Sequence, residues 1–155
     1  MQIAFLQNMI FRRIIILALI ILAPKLHAEN QIIDDNIILQ SISQVESNNQ
    51  HHRIGRAGEK TKYQFREGTW RQYSSTPFLF IDSKHYELES EIVAYKHLAK
   101  IKKFLSARNQ YSVRNIAYIW NAGFGAFKRG GLPKTTKLHI RKVEKVYFEL
   151  AGQKS

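Results

Sequence analysis

Glu46 closes an apolar stretch, Ile42-Ser43-Gln44-Val45-Glu46-Ser47, and Glu59 follows in the polar, glycine-containing segment that opens just after it. A carboxyl group between an apolar helix and a polar loop is shielded on one side and open on the other. Burial disfavours its charged form, so it keeps its proton near neutral pH and can deliver it to a leaving oxygen. Glycoside cleavage uses such an acid, and its hydrolytic versions add a second carboxylate that activates water or forms an adduct. Each residue also has an ordinary role to weigh: Glu46 as an exposed helix-end side chain, Glu59 as a salt-bridge partner of Arg56, Lys60 or Lys62.

The elements that must hold these groups are mainly helical. Ile38, Ile42 and Val45, with Leu39 alongside, recur at helical spacing and predict a buried helix over about 36–46. Asp34 or Asp35 is available as its cap, and Ser47-Asn48-Asn49 stops it. Residues 48–64, with Gly55 and Gly58, form an irregular or short β segment. A short helix is expected over 67–73, and a long amphipathic one over 87–107 carried by Leu88, Ile92, Tyr95, Ala99, Leu98, Ile101 and Leu105. Ser112 caps a third helix that ends at Asn121-Ala122-Gly123. Gly125, Gly130, Gly131 and Pro133 then make a flexible loop. Thr135 or Thr136 caps the last helix, and Gly152 lies just past its end. The expected class is a single, mainly α domain with one irregular segment after the helix that bears Glu46.

Residues 1–28 stand apart. Arg12 and Arg13 precede the apolar run Ile14 to Ala23, Pro24 breaks it, and Leu26-His27-Ala28 offers a small residue before a cut. That layout predicts a signal peptide removed after Ala28, with residues 29–155 as the mature domain, periplasmic or secreted. A retained anchor is the alternative. The run is about half the roughly 20 apolar residues that a span needs, so no stable membrane span is expected after cleavage.

The chain carries 24 Lys plus Arg against 12 Asp plus Glu, a formal +12. Loss of Arg12, Arg13 and Lys25 would leave +9, a surface suited to a polyanionic partner. For an exported protein the cell wall fits that description better than nucleic acid, whose only support is the charge. With no cysteine, the fold stands without disulfides or thiolate metal sites. His51-His52 lack a ligand-spaced set of partners, and no metal or cofactor is expected.

The order of four short segments resembles the lytic transglycosylases and lysozyme-like proteins. They are the Glu46-Ser47 helix end; Gly55 through Tyr63-Gln64-Phe65, with Thr69-Trp70 following; Ile116-Ala117-Tyr118-Ile119-Trp120-Asn121-Ala122-Gly123; and Leu138-His139-Ile140-Arg141-Lys142-Val143. The resemblance implies an α+β lysozyme-like fold and cleavage of peptidoglycan glycan strands, in wall turnover or beside an envelope-spanning machine. Glu46 would serve as general acid and then base, with Ser47 orienting its carboxylate. Tyr63 and Gln64 would lie in the glycan groove, Gln64 holding an N-acetyl or hydroxyl group, and Asn121 would line it near the cleaved bond. Tyr118 and Phe124 are the preferred aromatic groove candidates. In two places the chain departs from the pattern: His139 stands where a Tyr hydroxyl is usual near the acid, and Tyr63 replaces the usual Met. A transglycosylase needs no second carboxylate, because the sugar's own 6-hydroxyl attacks; Glu59 in the cleft would instead permit hydrolysis.

Overall fold

The computed structural model describes residues 32–78 and 85–152. The signal peptide expected over 1–28 lies outside them. All of the described helices belong to the unit Ile33–Ser155. As expected from the sequence, the chain is mainly helical.

Helix α1, Asp35–Ser47, starts where the Asp34 carboxylate accepts from the N–H groups of Asn36 (2.8 Å) and Ile37 (3.1 Å). It stops because Asn48 and Asn49 both take positive φ, 55° and 61°, a conformation that Asn tolerates better than most residues. Ile38 and Ile42 on its inner face are fully buried. Each contributes roughly 1.5–3 kcal/mol by leaving water.

Residues 48–66 form the irregular segment. Among the described residues there is no strand, only one antiparallel bridge in which Lys60 and Phe65 exchange N–H···O bonds of 2.9 and 2.8 Å. A tight turn lies between them, with Thr61 and Gln64 at positive φ. It turns Tyr63 and Phe65 inward, leaving them 2 % and 3 % exposed.

Helix α2 is one turn, Glu67–Trp70, shorter than the 67–73 expected. The chain bends after Trp70 because its fully buried indole donates to Thr76 O (2.8 Å) and its carbonyl accepts from the N–H groups of Tyr73 and Ser74.

Helix α3, His85–Ser106, buries a single apolar face: Val93, Ala94, Leu98, Ile101 and Leu105, with His97 among them. The expected stripe held two phases. The row Leu88, Ile92, Tyr95 is exposed (70, 45 and 41 %), because the helices that α3 meets, α1 and α4, cover only its other side.

Helix α4, Val113–Arg129, begins at Ser112, whose hydroxyl accepts from Asn115 N–H (3.2 Å). Its expected end at Asn121-Ala122-Gly123 is a break rather than a stop. Gly123 sits at φ 79°, ψ 164°, and the chain returns to helix through Gly125 to Arg129, so Gly125 is not in the loop. Helix α5, Lys134–Gly152, starts beside Pro133 and includes Gly152 as its last residue; Thr136 is buried in its first turn. α5 packs against α1 and α4, which gives it a place in the wall behind Glu46.

Candidate active site

One cavity of about 790 Å³ gathers most of the candidates. Glu46 from the end of α1, Glu59 and Gln64 from the irregular segment, and Asn121 beside the α4 break all line it. His139 reaches the same carboxyl from α5: its Nε2 lies 3.8 Å from Glu46 Oε1.

The two carboxyl groups have opposite electrostatics. The Glu46 side chain is 18 % exposed. Burial pushes its pKa from 4.5 up to about 7, and the negative charge of Glu59 adds to the rise. Glu59 is held below the usual carboxylate range by its own backbone N–H and that of Ala57 (3.0 Å), with Arg66 at 3.5 Å assisting against partial desolvation. Near neutral pH the cavity therefore contains one carboxyl close to half-protonation and one ionised carboxylate.

His139 is not the cationic half of an ion pair. Burial lowers its pKa from 6.5 to about 4, with Lys142 contributing, so between about pH 4 and 7 a neutral imidazole faces a protonated Glu46. At 3.8 Å the contact is too long for a hydrogen bond, and the buried Nε2 has no other partner among the described residues. In the tautomer that carries its proton on Nε2, that nitrogen can donate to Glu46 once the carboxyl gives up its own proton.

Gly55 explains how Glu59 and Gln64 share the loop. A Cβ there would lie 2.3 Å from Glu59 Oε2 and 2.6 Å from Gln64 Oε1, so the bare backbone is what admits both side chains. The Gln64 amide donates to Arg53 O (3.1 Å) and Thr61 O (2.8 Å), which commits its nitrogen to the loop while the residue still lines the cavity.

Three expected roles are corrected. Ser47 does not orient Glu46: its buried hydroxyl lies 2.8 Å from Lys62 O and 3.1 Å from Ser43 O, so its single proton ties the irregular segment to α1. Tyr63 is a core residue, not a groove residue. Its ring packs on Phe65 and Trp120, and its hydroxyl donates to Glu91 (2.6 Å), away from the cavity that holds Glu46. Tyr118 also lies outside that cavity, because its hydroxyl donates to Ala126 O (3.3 Å) and to Gly131 O, stapling the second half of α4. Phe124 does line the cavity, as does Trp120.

His97 was not anticipated. It lines the cavity from α3, enclosed by Trp120, Tyr73, Phe124 and Phe65 at ring-centroid distances of 5.0 to 6.4 Å. Tyr73 Oη meets its Nδ1 at 3.1 Å. Burial, with Lys100 adding, lowers its pKa to about 4 and keeps the ring neutral. The sequence signal was its position four residues after Val93 on the buried face, which alone reads as core. Arg53, Arg56 and Arg66 also line the cavity and had no motif to mark them.

No protein-family model, no curated protein and no solved structure matches the chain.

Proposed function

We propose that this protein is an exported peptidoglycan-cleaving enzyme of lysozyme-like fold, a lytic transglycosylase that cuts the β-1,4 bond after N-acetylmuramic acid. The supporting observation is a carboxyl of pKa near 7, Glu46, sharing one cavity with the ionised Glu59. The four segments that resemble lytic transglycosylases supply the substrate class.

In this scheme Glu46 donates its proton to the glycosidic oxygen as the C1–O bond breaks. The resulting carboxylate takes the proton of the sugar's 6-hydroxyl as that oxygen bonds to C1, leaving a 1,6-anhydro end. No water is consumed, and Glu46 is protonated again. His139 Nε2 is positioned to donate to the carboxylate in the interval when it is charged. Glu59 contributes a fixed negative charge opposite the positive charge that develops on the sugar ring. Its lowered pKa makes it a weak base, whereas the conjugate base of Glu46 is matched to neutral pH.

Hydrolysis is the second reading, favoured by the presence of Glu59 in the cavity at all: a carboxylate there could direct a water at C1. Digestion of purified peptidoglycan, read by mass spectrometry, separates the two. Transglycosylation leaves anhydro ends, hydrolysis leaves reducing ends one water heavier. Release by Glu46→Gln equal to wild type, or no release by wild type, refutes the enzymatic assignment. Binding without release by either protein would indicate a wall-binding module.

A further inference from the structure

The cavity carries more positive charge on its walls than acid–base chemistry at Glu46 uses. Arg53, Arg56 and Arg66 line it, and all three are exposed. Among the described residues, Arg66 meets a carboxylate there, that of Glu59 at 3.5 Å, and Arg53 meets the Gln50 amide oxygen at 3.5 Å. Of the two carboxyls in the cavity, Glu46 is neutral through most of the range below pH 7, so three guanidinium groups face one ionised acid.

These arginines stand on a pinned backbone. Arg53 O accepts from the Gln64 amide, Gly55 N–H donates to Glu59 O (2.7 Å), and Gly58 N–H donates to Gly55 O (3.1 Å). Arg66 directly follows Phe65, whose backbone is bridged to Lys60. Ile54, 66 % exposed, lines the same wall between the first two arginines and offers an apolar contact beside them. Guanidinium forks match carboxylates in geometry and are less strongly hydrated than ammonium groups, so a fixed cluster of them selects an acidic ligand group.

We infer that Arg53, Arg56 and Arg66 form a carboxylate-binding subsite beside Glu46, which selects glycan strands still carrying acidic peptide substituents over bare sugar polymer. The inference rests on the proposed glycan substrate and names the part of it that this wall recognises.

The test is binding to the full mature chain carrying Glu46→Gln, which holds substrate without cutting it. Titration calorimetry compares soluble glycan fragments bearing peptide stems with chito-oligosaccharides of the same length, whose sugars carry no carboxylate. Peptide-bearing fragments should bind about tenfold more tightly, and the gap should narrow as salt is raised. Adding Arg53→Gln and Arg56→Gln, two exposed side chains whose loss leaves the backbone bonds intact, should abolish the gap while leaving affinity for the carboxylate-free chito-oligosaccharide unchanged. Lys137→Gln with Arg141→Gln, exposed on α5, should leave the gap in place. Equal affinity for both fragments overturns the subsite alone, as does a gap that survives loss of Arg53 and Arg56 or one that the α5 pair removes equally. Binding of neither fragment overturns the glycan reading together with the subsite.

Discussion

Replacing Glu46 by Gln should stabilise this protein at alkaline pH while leaving its stability in acid nearly unchanged. The substitution keeps the side chain's shape and removes its titration. In the folded chain the carboxyl holds its proton up to about pH 7, against 4.5 in the unfolded chain. Between those values the native state binds more protons than the unfolded state, so stability falls as pH rises. Below pH 4.5 both states are protonated and the group costs nothing. Above pH 7 the folded chain bears a buried charge that the unfolded chain exposes to water. At 1.36 kcal/mol per pH unit the penalty reaches about 3 kcal/mol. Glu46→Gln escapes it, and for a domain of this size the gain corresponds to roughly 10 °C in Tm. Thermal or urea unfolding of both proteins at pH 4 and pH 8.5 measures it. A difference between variant and wild type that is the same at both pH values would refute the claim that burial and Glu59 raise the Glu46 pKa, and with it the acid–base scheme.

Other perturbations bear on the neighbouring groups. Gly55→Ala meets the carboxylate and Cβ of Glu59 and the amide of Gln64, so both side chains must shift, Tm should fall by a few degrees, and wall-cleaving activity should drop at least tenfold in the folded variant; a normal rate would mean that the placement of those two groups is immaterial. Ser47→Ala should cost about 1–3 kcal/mol, since it strips the Lys62 carbonyl of its donor, and urea unfolding that shows no loss would remove the role of Ser47 as a tie between loop and helix. His97 has the opposite pH sign to Glu46. Its native pKa, about 4 against 6.5 unfolded, gives stability that is complete above pH 6.5 and lost as pH falls toward 4. His97→Phe should therefore lessen the acid loss by about 3 kcal/mol, and an imidazole NMR titration with a midpoint near 6.5 in the native wild type would contradict this.

Local features were read well where one physical cause dominated. The α1 helix was legible because the row from Ile38 to Val45 has a single phase and both ends carry their own signals, the Asp34 cap and the two asparagines. The α3 face was less so, because its sequence holds two apolar rows and only tertiary contact decides which is buried. The break in α4 was visible at Gly123, but its continuation was not, since resumption of the helix depends on Phe124 and Phe127 packing against Phe104. In the site, Glu46, Glu59, Gln64, Asn121 and His139 fell on segments that come together, whereas Ser47, Tyr63 and Tyr118 turn aside. Period and motif place a residue on an element but do not fix where a hydroxyl finds its partner. For these three, the nearby carbonyls and Glu91 offered closer bonds than the groove.

The packing of α5 against α1 has a bearing on the order of events during synthesis. His139 and the wall behind Glu46 are supplied by α5, the last of the described helices to leave the ribosome. Until α5 has emerged, Glu46 lacks the part of its enclosure that His139 provides. A nascent chain, or one cut short before α5, carries the acid but lacks the surroundings that keep its proton. In the proposed scheme, competence for acid–base chemistry is thus tied to completion of that helix.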